Sequence, residues 1–213
     1  MNFKPILFST SMVQAILNGS KTQTRRVVKQ QPPEGYDYLG TDTDIASGKP
    51  IFYACWEGDK YHNIKCPYGQ IGDVLWVREK SMWIMLEHAH ELLEGRRERT
   101  QLVYANDVHE DWVSYAKEKY NYKWKPGIHM PKDACRLFLK IKDIRVERLQ
   151  DISENNAISE GVETLGLYPG YDVSNRGKFE GLWHSINGEE SWSSNPWVWV
   201  IEFERIEKPE NFI

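Results

Sequence analysis

The segment Gly19-Ser20-Lys21-Thr22-Gln23-Thr24-Arg25-Arg26 places an amine, hydroxyls and two guanidinium groups in one unbroken run near the start of the chain. A glycine opens the run and β-branched residues continue it into Val27-Val28, so it reads as a turn feeding a strand. Strand alternation puts Thr22, Thr24 and Arg26 on one face and Arg25 on the other. Lys21 lies at the turn, where its long stem can swing toward the Thr24 face. A threonine hydroxyl is a poor nucleophile until a neighbour takes its proton. A partly desolvated lysine can do so once its pKa falls below about 10.4. Arg26 suits a carboxylate, a phosphate or a developing oxyanion. A solvated basic strand edge would carry the same residues without any chemistry.

Other chemistries fit less well. Gly19-Ser20-Lys21-Thr22 resembles the end of a phosphate-binding P-loop, but the upstream glycine is missing and the helix precedes the motif instead of following it. Cys55, His62 and Cys66 match no familiar zinc spacing and have no convincing fourth ligand. No metal and no organic cofactor is therefore expected. Among the scattered histidines, His129 beside Met130-Pro131 is the one candidate for ligand contact.

The elements that must position these groups can be read along the chain. Ile6-Leu7-Phe8 is a short apolar run expected as a buried strand. Ser9-Thr10-Ser11 offers N-caps to a helix marked by Met12, Val13, Ile16 and Leu17, and Gly19 stands where its C-cap belongs. Val74-Leu75-Trp76-Val77, Leu137 to Glu147 and Trp197 to Ile206 read as strands. In the last of these, Trp199, Ile201 and Phe203 are expected to face the core. Ser153 caps a short helix running to Glu160, ended by Gly161, and Phe179 to Ile186 is a further helix. Residues 30–65 and 80–128 read as insertions. The first lacks a sustained period over Gln30 to Gly58 and is expected there as a long loop or insertion; the second is expected to be helical over Met82 to Gly95 and Glu110 to Tyr120. Several non-adjacent strands with few helices predict an α+β domain, 1–213, built on a small closed or partly closed β-barrel.

Composition narrows the setting. With 40% hydrophobic and 27% charged residues, 213 residues can build a substantial core. The net charge of −4 gives no global field attracting nucleic acid, so any such contact needs a local patch. Aromatic content of 13% fills a core or supplies flat walls for planar ligands. The three cysteines suggest no disulfide framework, and neither a leader nor a membrane span is legible, so a cytoplasmic protein is expected.

Three separated motifs occur in one order. They are Gly19-x-Lys21-Thr22-x-Thr24-x-Arg26, then Gly72-Asp73-x-Leu75-x-Val77, then a late strand–helix unit with Glu160. Together they resemble the ASCH domain family, over about residues 3–28, 69–79 and 135–206. The two insertions, with Cys66-Pro67-Tyr68-Gly69 and Asn195-Pro196-Trp197, look like its larger, often phage-encoded members. The resemblance implies a PUA-like β-barrel associated with RNA. One branch of the family consists of amidohydrolases acting on N4-acetylcytidine. That branch implies catalytic roles for Lys21, Thr24 and Glu160, with Arg26 close by; Thr22, Trp76 and His129 are further candidates for substrate contact, read from this sequence and not from the branch. Two alternatives remain open. One is an RNA- or nucleotide-binding module without catalysis, in which Trp76, Trp197 or Trp199 stacks a base. The other is a factor that binds a host protein through its insertions.

Overall fold

The structure is a computed structural model that describes residues 1–29, 31, 39–44, 50–56, 60–85, 100–108, 110–162 and 169–212. Strand β1 (Phe3–Leu7) leads into helix α1 (Thr10–Leu17), whose N-cap Ser9 accepts a hydrogen bond from the Met12 N–H. Gly19, at φ +81°, turns the chain toward β2 (Gln23–Val27). This opening of strand, helix, glycine turn and strand agrees with the sequence.

Residues 30–65 depart from it. In place of the long loop expected over Gln30 to Gly58 lie β3 (Leu39–Thr43) and β4 (Pro50–Trp56), which with β5 (Lys60–Ile64) just beyond form an antiparallel three-stranded sheet. The Pro, Gly and Asp residues around these strands masked the apolar run Ile51-Phe52-Tyr53.

Strand β6 (Val74–Arg78) is followed by β7 (Ser81–Met85), which pairs with β8 (Thr100–Tyr104). The helix expected to begin at Met82 is thus a strand where it is described. Met82 and Ile84 are buried while Trp83 is exposed, a period of two that the helix-forming residues downstream obscured. Residues 86–95 of that expectation lie outside the described residues. Helix α2 (Glu110–Tyr120) falls where the sequence places it.

The C-terminal half supplies β9 (Phe138–Arg148), α3 (Glu154–Ser159), α4 (Asn175–Asn187), α5 (Glu190–Ser193) and β10 (Trp197–Ile206). Five strands form the main sheet in the order β1-β6-β9-β10-β2, parallel between β1 and β6 and antiparallel elsewhere. Strands β1 and β2 are its edges, so these pairings define an open sheet and not a closed barrel.

Both faces of the sheet are covered, so interior strands lose the simple in–out pattern. Trp199, Ile201 and Phe203 are buried as expected, but so are Val198 and Val200. In β6, Leu75 and Val77 join the main core with α1 and α4, while Val74 and Trp76 turn to a second cluster closed by Phe138 and Phe212. Among the described residues no helix is long and apolar enough to cross a membrane.

Candidate functional site

The site is assembled where β2 begins. The Lys21 N–H donates to Ala15 O at 2.9 Å, tying the strand entry to α1, and the Thr22 N–H donates to Ser159 O at 2.9 Å, tying it to the end of α3. Ser153 caps α3 through the Asn156 N–H, and Glu160 forms its C-cap. Gly161 follows at φ +82°, and a Cβ there would lie 2.9 Å from the Ala15 Cβ and 3.0 Å from the Lys21 Cβ. Only glycine allows both that backbone turn and that approach. The helix end is thereby pressed against Lys21, and the two residues form an antiparallel bridge.

The side chains complete the contact. Lys21 Nζ donates to Glu160 Oε2 at 2.8 Å and to the Glu160 carbonyl at 2.9 Å. Both side chains are essentially inaccessible, 0% and 2% exposed. Arg25 Nη1 donates to the other carboxylate oxygen, Oε1, at 3.2 Å, and Arg25 Nη2 donates to Glu147 at 2.9 Å. Arg145 extends the network, reaching Glu147 and Glu202 at 2.5 Å each and Gln23 Oε1 at 3.2 Å. Alternating cations and carboxylates offset a desolvation cost that no one of them could bear alone. Gln23 Nε2 and Arg25 Nε are buried without a hydrogen-bond partner among the described residues.

Burial pulls the Lys21 ammonium below its usual pKa, and the charge and hydrogen bond of Glu160 oppose that pull without cancelling it. Burial also lowers the Arg26 guanidinium, against the opposing influence of Tyr68 and Glu160. A lysine shifted this way gives up or takes a proton closer to neutral pH than a surface lysine does.

Of the residues singled out by sequence, the structure brings Lys21 and Glu160 into contact, with Arg26 nearby. The Arg26 guanidinium lies 5.2 Å from the Phe8 ring centroid, and Lys21 Nζ lies 5.6 Å from the same ring. Thr24 is on β2 opposite Ile201 and is 1% exposed, and its hydroxyl makes no hydrogen bond to Lys21 or Glu160. Lys21 has not swung to Thr24; it shares Glu160 with Arg25.

The remaining candidates lie apart. The Thr22 side chain is exposed, and its backbone does the work of pairing. Trp76 belongs to the second core cluster. His129 is exposed in the 3-10 turn Gly127–His129.

Sequence reasoning missed Arg25, Glu147, Phe8, Tyr68 and Arg78. The alternation that separates Arg25 from Thr24 also puts it beside Lys21 and Gln23, which was the available signal for Arg25. A cavity of about 750 Å³ has Phe8, Arg26, Tyr68, Arg78, Ile128 and Ile186 in its wall; Lys21, Thr24 and Glu160 do not line it, and Lys21 approaches it only from behind Phe8. A narrower cavity of about 60 Å³ shares Met12, Arg26 and Ile186 with it and reaches Arg25. Phe8 therefore stands at the boundary between the open cavity and the Lys21 ammonium. Among the described residues no group of three or more His, Cys, Asp or Glu is arranged to hold a metal ion.

Comparison with known proteins found no matching family model, no similar curated protein and no similar solved structure.

Proposed function

We propose that the chain is an amidohydrolase that removes an acyl group from a modified pyrimidine nucleoside of the N4-acetylcytidine type, within a PUA-like variant of the α+β fold. The observation that carries this reading is the buried contact of Lys21 with Glu160, two residues 139 positions apart. In this reading Lys21, in its neutral form, leaves Glu160 and turns toward Thr24, whose Oγ1 attacks the acyl carbon as the amine accepts its proton. The tetrahedral intermediate collapses with cleavage of the C–N bond, and a proton passes to the departing exocyclic nitrogen. Lys21 gives back the proton it took, Glu160 relays it or orients the nitrogen, and Arg26 stabilises charge or orients the substrate. Water then hydrolyses the acyl-threonine. The depressed Lys21 pKa supports the base role, and the 750 Å³ cavity beside Phe8 and Arg26 has room for a nucleoside. The chemistry calls on no cofactor.

A second reading, a nucleotide- or RNA-binding module without catalysis, is favoured by one observation. Both carboxylate oxygens of Glu160 are already held by Lys21 and Arg25, as in a purely structural brace. Incubation with N4-acetylcytidine separates the two readings. Release of cytidine that is insensitive to salt is expected for the enzyme. No release, with RNA binding that weakens steeply as salt rises, is the result for the binding module.

A further inference from the structure

Among the described arginines, those in ion-pair networks contrast with two that line the cavity. Arg25, Arg136 and Arg145 are each paired with at least two carboxylates. Arg26 and Arg78 are in no ion pair among the described residues, and both line the 750 Å³ cavity, whose wall contains no Asp or Glu. Their positions are tied to one point of the fold. Arg26 Nη2 donates to Leu7 O at 2.7 Å, and Leu7 is the register partner of Arg78 across the parallel β1–β6 pair. Neighbouring strands are about 4.8 Å apart, so the Arg26 head group is anchored one strand from the Arg78 backbone.

Arg78 is itself braced. Its Nη2 donates to the Ile128 and Met130 carbonyls, and its guanidinium lies 5.4 Å from the Trp76 ring centroid. Its Nε is a buried donor with no partner among the described residues. An orphaned donor on a charged group is costly unless a ligand completes it. The first turn of α1, which borders the same cavity through Ser9 and Met12, carries no acidic side chain that would repel an anion.

The rim of the cavity is apolar. Leu7, Ile128 and Ile186 are 47%, 57% and 53% exposed, and all three belong to this wall. Two unpaired guanidiniums beside an aliphatic shelf match a ligand with a phosphate at one end and a planar ring at the other. The volume suits one nucleotide, and the net charge of −4 offers no long-range attraction to a polyanion.

We infer that this cavity takes a pyrimidine nucleoside monophosphate, its phosphate held by Arg26 and Arg78 and its ring laid against Leu7, Ile128 and Ile186. The pyrimidine part of this inference rests on the proposed amidohydrolase reading; the phosphate part rests on the two arginines. The substrate is then the acylated nucleotide, in preference to the free nucleoside or an RNA chain.

Calorimetric titration with cytidine, cytidine 5′-monophosphate and a short cytidine-containing RNA tests it. The monophosphate is expected to bind at least about tenfold more tightly than cytidine. Arg78→Gln should abolish that preference without weakening cytidine, and Arg78→Lys, with its thermal midpoint recorded, should restore part of it. Equal affinity for nucleoside and monophosphate, binding of neither, or a clear preference for the RNA would each overturn the inference. Turnover of N4-acetylcytidine is measured in parallel. Turnover without a phosphate preference overturns this inference alone, whereas a phosphate preference without turnover of nucleoside or nucleotide upholds it and overturns the amidohydrolase reading.

Discussion

Lys21 and Glu160 meet through two hydrogen bonds, from the ammonium to the carboxylate at 2.8 Å and to the main-chain carbonyl at 2.9 Å. The second bond fixes the lysine to the backbone at the end of α3, so the pair is held in place even if the carboxylate changes its charge.

The Glu160 carboxylate balances two buried cations, so its removal should be severe. Glu160→Gln puts an amide donor where Lys21 or Arg25 needs an acceptor and leaves buried positive charge uncompensated. We expect a loss of about 3–5 kcal/mol in denaturant unfolding. Lys21→Met combined with Glu160→Gln should recover part of that loss, because one cation leaves with the charge that balanced it.

Gly161 tests how the pair is positioned. Gly161→Ala must adopt φ near +82° and must push back Ala15 and Lys21. The backbone conformation alone costs about 1–2 kcal/mol. We expect a lowered thermal midpoint and a loss of any turnover larger than the same destabilisation produces at a distant core position.

Asp73 gives the acid dependence. Burial would raise its pKa, but hydrogen bonds from the Asn2 and Gln70 backbone N–H groups, at 2.7 and 3.0 Å, outweigh burial and leave it below 3.8. A folded pKa below the unfolded one means that the unfolded state binds the proton more tightly. The stabilisation is therefore complete above 3.8 and is lost as the pH falls through the depressed folded value. Asp73→Asn should cost roughly 1.5–3 kcal/mol at neutral pH. The difference between variant and wild type in thermal midpoint should close in acid; a gap independent of pH would contradict this account.

Several parts of this molecule were legible before its structure. The helix α1 carries its cap, its apolar spacing and its terminal glycine in consecutive residues, and β9 and β10 are long enough for their patterns to show. Strands β3, β4 and β7 are short and flanked by residues of other habits, so composition outweighed their alternation. The convergence of Lys21 with Glu160 could be anticipated from motif order. The involvement of Arg25 could not be anticipated from the Thr24 face alone, because Glu160 approaches from the opposite side of β2. The cavity was invisible in the sequence, since its arginines come from strands that become neighbours only through Leu7.

The most direct measurement is release of cytidine from N4-acetylcytidine by wild type, Thr24→Ala and Lys21→Arg, each checked for an intact fold by its thermal midpoint. The account predicts turnover by wild type, none detectable for Thr24→Ala, and a loss nearly as complete for Lys21→Arg, whose guanidinium keeps the charge but cannot accept the Thr24 proton. Failure of wild type to hydrolyse a panel of acylated cytidines, or full activity in Thr24→Ala, would contradict it.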